Sequence, residues 1–164
     1  MAEQIKVRKL LFSEILNKVH KAKGRADKIK ILKEEDCLAL RQVLIWGFDG
    51  NLGSAVPSGT PPFIENEAPE GTEHMMLRTE AGKLWHFVKT GDKFANPALQ
   101  STVRERMFIR LLEGLHKDEA KILCWAKDGI LGHSPTKNKD GIKGLSGDVV
   151  REAFGLNEDF KESK

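Results

Sequence analysis

The 164-residue sequence lacks several features that would assign it to a class directly. It has no tyrosine and only two cysteines, and no stretch contains the roughly 18 consecutive apolar residues that a membrane-spanning helix needs. Cys37 and Cys124 lie far apart in apolar helical patterns, which predicts buried reduced thiols rather than a disulfide. The first residues lack a signal peptide's apolar run, so we expect the protein to stay where it is made, without membrane contact.

Motifs for catalysis or ligand binding are also missing. The phosphate-binding patterns Gly-x-x-x-x-Gly-Lys-Ser/Thr and Gly-x-Gly-x-x-Gly are absent, as are Cys-x-x-Cys and His-Glu-x-x-His. Glu113 and His116 have the spacing used in helical di-iron sites, but the required second copy does not exist. A calcium loop that starts at Asp49 would need a glutamate where Thr60 stands. We therefore expect no metal and no cofactor.

Periodicity favours helices in the first third of the chain. Apolar residues at three- and four-residue spacing predict an amphipathic helix over about residues 4–22. The same spacing continues through a short second helix around residues 26–32. A third helix is expected to follow Asp36, whose charge offsets a helix N-terminal dipole, and to end near Gly47.

The second half of the chain shows the same helical periodicity. A helix is expected from Leu77 to a stop at Thr90–Gly91, and Asn96 followed by proline predicts the start of a helical hairpin over residues 96–127. Ser146 is expected to cap a short helix that Gly155 ends, ahead of a fraying tail at 156–164. With no alternating strand pattern, we predict an all-α single domain over residues 1–164, with six to seven helices.

Two loops interrupt these helices. Residues 49–73 hold four of the six prolines and form a proline-rich loop, which we expect to be strapped across the helices by Phe63 and Ile64. Its acidic residues, Glu65, Glu67, Glu70 and Glu73, are candidates to face the basic N-terminal helices. Residues 128–145 form a second, basic loop. Trp46, Trp85 and Trp125 stand in apolar helical patterns and are predicted to be core residues rather than base-stacking platforms.

Charge is distributed unevenly along the chain. Residues 1–33 hold ten Lys and Arg against three acidic residues, a net charge of +7, whereas the rest of the chain carries −4. A solvated Lys-rich helix face is the simplest explanation of this block. The functional explanation is a site for nucleic acid or for an acidic protein. Its candidate residues are Lys18, Lys21, Lys23, Arg25, Lys28 and Lys30.

Four segments of the sequence resemble one protein family. They are residues 38–49 (LALRQVLIWGFD), 61–74 (PPFIENEAPEGTEH), 108–120 (FIRLLEGLHKDEA) and 149–154 (VVREAF). These segments look like uncharacterised proteins encoded by large tailed phages of the T-even type, including those of marine cyanobacteria. The resemblance implies a viral origin and carries no activity. The loop around residues 133–144 departs from the family pattern.

We therefore expect a non-enzymatic phage accessory module in the cytoplasm of the infected host, which engages nucleic acid or an acidic protein of phage replication or transcription. If Lys18, Lys21, Lys23 and Arg25 contact phosphates, affinity should fall steeply with salt. The main alternative is a structural or assembly protein of the virion. An enzyme of unknown type is a further alternative, for which Glu73, His74 and His116 are the residues to test first. The sequence predicts no oligomeric state.

Overall fold

The computed structural model describes residues 10–69 and 74–156. These residues form seven α-helices, one 3-10 helix and three short strands. The first three helices are α1 (Phe12–Lys21), α2 (Arg25–Glu34) and α3 (Leu38–Phe48), and α2 and α3 lie close to their predicted places. The prediction of a helix from about residue 4 is wrong at Leu10 and Leu11, which precede α1 and are not helical. Expectations for residues 1–9, for Glu70 and Glu73, and for residues 157–164 lie outside the described residues.

Strands are the first correction to the all-α prediction. β1 (Leu52–Ser54), β2 (Val88–Thr90) and β3 (Lys93–Phe94) form an antiparallel sheet in the order β1-β2-β3, so the protein is mostly but not purely helical. Ser54 pairs with Val88, and Lys89 pairs with Phe94. Strands of two or three residues are too short to produce an alternating pattern, which is why the sequence does not reveal them.

The segment after Leu77 also differs from the predicted single helix. α4 (Leu77–Glu80) passes into a 3-10 helix, η1 (Ala81–Phe87), and the chain then enters β2. Gly82 weakens helical propensity here, and the β-branched Val88 and Thr90 suit a strand. Gly91, with φ of +62°, turns the chain into β3.

The helical hairpin starts later than predicted. α5 (Ser101–Gly114) begins four residues after Pro97, and α6 (Lys117–Asp128) follows it. Asn96 caps only a turn, because its Oδ1 accepts from the Ala98 amide at 3.1 Å. α7 (Gly147–Phe154) confirms two predictions: Ser146 Oγ accepts from the Val149 amide at 3.3 Å, and Gly155 ends the helix in the left-handed region.

The core lies where α3 and α6 pack against the flanking helices. Its fully buried apolar side chains include Phe12, Ile15, Leu16, Leu32, Leu40, Leu44, Leu77 and Leu112. A Cβ on Gly47 would meet Leu131 at 2.8 Å and the Ala126 Cα at 3.4 Å, so glycine allows α3 to approach α6 closely. Cys37 and Cys124 are both free thiols; Cys124 is buried as predicted, whereas Cys37 is half-buried and accepts from the Leu40 amide at the start of α3.

Residues 55–69 contain no helix or strand. Lys127 Nζ donates to the carbonyl oxygens of Pro57 (2.9 Å) and Gly59 (3.0 Å), and the Ile64 amide donates to Glu113 (3.0 Å). Phe63 is partly buried against the core, as expected. The expectation for Ile64 is wrong, because its side chain is 80% exposed. Hydrogen bonds to the backbone, rather than the Ile64 side chain, hold this part of the loop.

Candidate nucleic-acid interface

Lys28 is an internal residue, although the sequence places it among the candidate binding residues. It is 8% exposed, and its Nζ donates to the carbonyl oxygens of Val19 (2.7 Å) and Ala22 (2.8 Å). These two carbonyls lie at the C-terminal end of α1, where the Val19 oxygen also accepts from the Ala22 amide at 3.2 Å and where a cation interacts favourably with the helix dipole. The Lys28 side chain packs directly against the backbone of Gly144 in the second loop. Lys28 therefore joins α1 to α2 and is not part of a surface.

Arg25 begins α2, and its guanidinium is occupied by two carboxylates of α7. Its Nη2 lies 2.6 Å from Asp148 Oδ2, and its Nη1 lies 2.9 Å from Glu152 Oε1. The hydrogen bonds that Arg25 donates to Glu152 and Asp148 raise the pKa of Arg25. The charge of this residue is thus balanced within the protein, at an exposed contact between α2 and α7.

The carboxylates that meet the basic helices are not those of the proline-rich loop. Lys18 lies 3.9 Å from Glu35, and Arg25 is paired by α7. Glu65 and Glu67 are exposed, and within residues 10–69 and 74–156 no ion pair joins either of them to α1 or α2. Where the structure describes the loop acids, they therefore do not neutralise the basic block.

Four lysines remain exposed on α1, on α2 and in the turn between them. Lys21 ends α1, Lys23 lies in the turn, and Lys30 and Lys33 lie one turn apart on α2. We call these four residues the lysine surface. None of them takes part in an ion pair in the described part of the chain.

A shallow depression of about 410 Å³ lies on the α2 side of the lysine surface. Lys30 and Lys33 line it together with Ala26, Ile29 and one acidic residue, Glu34. Positive charge next to an open, shallow surface suits an extended polyanion, which contacts many side chains without entering a deep cavity.

The residues named for a possible enzyme come together in part. The rings of His74 and His116 lie 5.3 Å apart in a T-shaped arrangement, whereas Glu73 lies outside the described residues. His116 is buried and caps α6, because its Nδ1 accepts from the Asp118 amide at 3.0 Å. His116 therefore has a structural role at the start of α6. Among the described residues, no group of three or more potential ligands is placed to hold a metal ion.

Glu119 lies beside these histidines and is a residue that sequence reasoning missed. It is fully buried, and its two oxygens accept from the amides of Phe12 (2.6 Å) and Leu77 (2.9 Å), where α1 and α4 begin. Burial raises the pKa of this carboxyl, while the two amide hydrogen bonds act in the opposite direction. Both oxygens are committed to the backbone, so Glu119 acts as an anchor between three helices.

Comparison with known proteins places most of this chain in one family. The sequence profile of a family of unknown function, DUF6433, matches residues 15–133. The chain belongs to DUF6433. The match includes the whole lysine surface and ends before α7, so Asp148 and Glu152 lie outside it. No curated protein and no solved structure matches the chain.

The membership assigns no activity, so function must be argued from the site. No helix within residues 10–69 and 74–156 is long and apolar enough to cross a membrane. Sequence reasoning found the basic block but not which of its cations are exposed. Lys28 and Lys30 stand two positions apart in one helix, and only the packing of α1 and the Gly144 loop separates their roles.

Proposed function

We propose that this protein is a non-enzymatic module that binds nucleic acid through the lysine surface. The observation that carries the proposal is that Lys21, Lys23, Lys30 and Lys33 are exposed and, among residues 10–69 and 74–156, form no ion pair with a carboxylate, whereas Arg25 is paired and Lys28 is buried.

The chemistry of lysine sets the kind of binding. A lysine ammonium is a mobile point charge that contacts phosphate oxygens without reading base edges. The four lysines lie at the end of α1, in the following turn and along α2, and Lys30 and Lys33 line the same depression. We therefore expect binding to duplexes that depends little on sequence and strongly on salt.

The resemblance to T-even-type phage proteins supports a role in the cytoplasm of the infected host cell. Mass spectrometry of purified virions tests this placement. Few or no copies per particle are expected of an accessory factor, whereas abundant copies would favour a structural or assembly role.

Two double variants with equal loss of charge test the lysine surface. Lys30→Gln with Lys33→Gln removes two proposed phosphate contacts, and Lys117→Gln with Lys121→Gln removes two exposed lysines from α6. The first pair should weaken duplex binding several-fold and lower the slope of log affinity against log salt by roughly two, and the second should change neither.

Equal effects of the two pairs would mean that net charge alone drives binding, and the proposed site would be rejected. If the wild type binds no duplex at low salt, the partner is not nucleic acid. An acidic protein would then be the ligand to seek.

A further inference from the structure

Two aromatic rings lie exposed in residues 81–94, a segment that is distant in sequence from the lysine surface. Trp85 of η1 is 49% exposed, and Phe94 of β3 is 43% exposed. The prediction that all three tryptophans are core residues is thus wrong for Trp85, although Trp46 is buried and Trp125 is partly buried. Single exposed apolar residues are ordinary on a protein surface, so the contacts and neighbours of these two rings decide whether they form a site.

Each ring is held in place by a polar neighbour on one side. The Trp85 ring lies against the His86 ring, with centroids 4.3 Å apart and an interplanar angle of 33°. The Phe94 ring lies over the Arg104 guanidinium, whose Cζ is 4.5 Å from the ring centroid. Both rings are therefore oriented, and both keep a large exposed area.

Arg104 connects the supports of the two rings. It is 2% exposed, and it donates to the carbonyl oxygens of His86, Asn96 and Leu99, each at 3.0 Å. The side-chain nitrogen Nδ2 of Asn96 lies 2.8 Å from His86 Nδ1. Because the same side chains fix η1 and the start of α5, Trp85 and Phe94 are presented by one framework. Such preorganisation lowers the entropy lost when a ligand stacks on them.

The charge around these rings is positive. Lys89 and Lys93 lie close to the rings in sequence together with one acidic residue, Asp92, whereas Lys83 is paired with Glu80 at 2.9 Å and Arg104 is buried. Lys89 pairs with Phe94 in the sheet, so the two side chains lie on the same face. An exposed ring beside a lysine matches a nucleotide, in which a flat base adjoins a phosphate.

We propose that Trp85 and Phe94 form a stacking site for the bases of single-stranded nucleic acid. Lys89, on the same sheet face as Phe94, contacts the adjacent phosphate, whereas Lys93 lies on the opposite face. Bases in a duplex are already stacked on one another and cannot use this site, so it selects unpaired strands. The proposal extends the proposed function from backbone contact to recognition of strand state, but it concerns different residues and stands or falls separately.

Fluorescence anisotropy with a labelled 12-nucleotide oligo-dT strand and with a labelled duplex tests the site. Trp85→Ala should weaken single-strand binding about tenfold and leave duplex binding unchanged. The matched control is Ile64→Ala, which removes another exposed apolar side chain and should change neither. Trp85→Phe keeps a stacking surface and should restore most of the affinity, which a merely structural role for the indole would not predict.

Tryptophan fluorescence supplies a second readout. Stacking of thymine on Trp85, the most exposed of the three tryptophans, should quench part of the emission, and the quenching should disappear in Trp85→Phe. The proposal is overturned if Trp85→Ala and Ile64→Ala bind the single strand equally, or if the folded wild type binds no single strand at low salt.

Substitution of the lysine surface separates the two proposals. If the stacking site is correct and the lysine surface is not, changing Lys21, Lys23, Lys30 and Lys33 to glutamine leaves both single-strand affinity and quenching intact. If only the lysine surface is correct, that variant loses binding to both ligands while Trp85→Ala loses neither.

Discussion

The α1–α2 region and the η1–β2–β3 region are both cationic, but they arrange charge in opposite ways. In the first region, four lysines extend into solvent and one, Lys28, turns inward to the carbonyls at the end of α1. In the second region, the central cation Arg104 is buried, and the exposed groups are aromatic. In both regions a buried cation donates to backbone carbonyls and fixes the local backbone. The exposed groups that this backbone carries differ: they are ammonium groups in the first region and aromatic rings in the second.

Loss of the inward cation of the aromatic region should give the largest effect. Arg104→Met keeps much of the side-chain volume but leaves three carbonyl acceptors without their donor, so we expect the free energy of unfolding to fall by about 3 kcal/mol. Urea denaturation measures it. Arg106→Met, an exposed position on the same helix, should cost less than about 0.5 kcal/mol. Equal stability of the two variants would show that Arg104 does not support the framework.

An inward anion extends the comparison to the opposite charge. In Glu119→Gln, the amide side chain has one acceptor for two backbone amides, which should lower the free energy of unfolding by about 2 kcal/mol near pH 4.5. Because burial raises the pKa of Glu119, ionisation disfavours the folded wild type as the pH rises above the ordinary carboxyl range.

The stability advantage of wild type over Glu119→Gln should therefore be greatest below pH 4.5 and shrink as the pH rises. Thermal unfolding followed by circular dichroism between pH 4 and pH 8 measures the difference. An advantage that grows with pH would mean that the fold favours the charged carboxylate, contrary to the expected direction.

The two kinds of lysine on α2 provide the most closely matched pair. Lys28→Met should lower the free energy of unfolding by about 1 kcal/mol, since the Ala22 carbonyl loses its lysine donor and the Val19 carbonyl keeps only the Ala22 amide, and it should leave duplex affinity nearly unchanged. Lys30→Met should do the reverse, with stability unchanged within about 0.5 kcal/mol and weaker binding. Urea denaturation and fluorescence anisotropy on both variants measure these two effects. Equal losses of stability and of affinity in the two variants would contradict the distinction between inward and outward lysines.

Release of Arg25 should produce the smallest effect. Asp148→Asn with Glu152→Gln frees the guanidinium, which should tighten duplex binding slightly and steepen the salt slope by roughly one. Stability should hardly change, because exposed ion pairs contribute little. Glu65→Gln with Glu67→Gln makes the same change in charge on the loop. If that control tightens binding equally, Arg25 has no specific place at the surface.

Sequence reasoning located most helices because their apolar spacing is long enough to be read. It missed the strands, because two or three residues are too few to show an alternating pattern. It also extended a helix through residues that form η1 and β2. It also could not separate Lys28 from Lys30 or foresee the exposure of Trp85. Those properties depend on contacts between α1, α2 and the Gly144 loop, and on the framework that Arg104 builds, rather than on local sequence.

The most direct test of the account is the salt dependence of duplex binding for the wild type and for a variant with Lys21, Lys23, Lys30 and Lys33 all changed to glutamine. We predict that the slope of log affinity against log salt is smaller in the variant by roughly four, at unchanged stability. Parallel lines for the two proteins, or a wild type whose binding does not depend on salt, would contradict the proposal that these lysines hold phosphates.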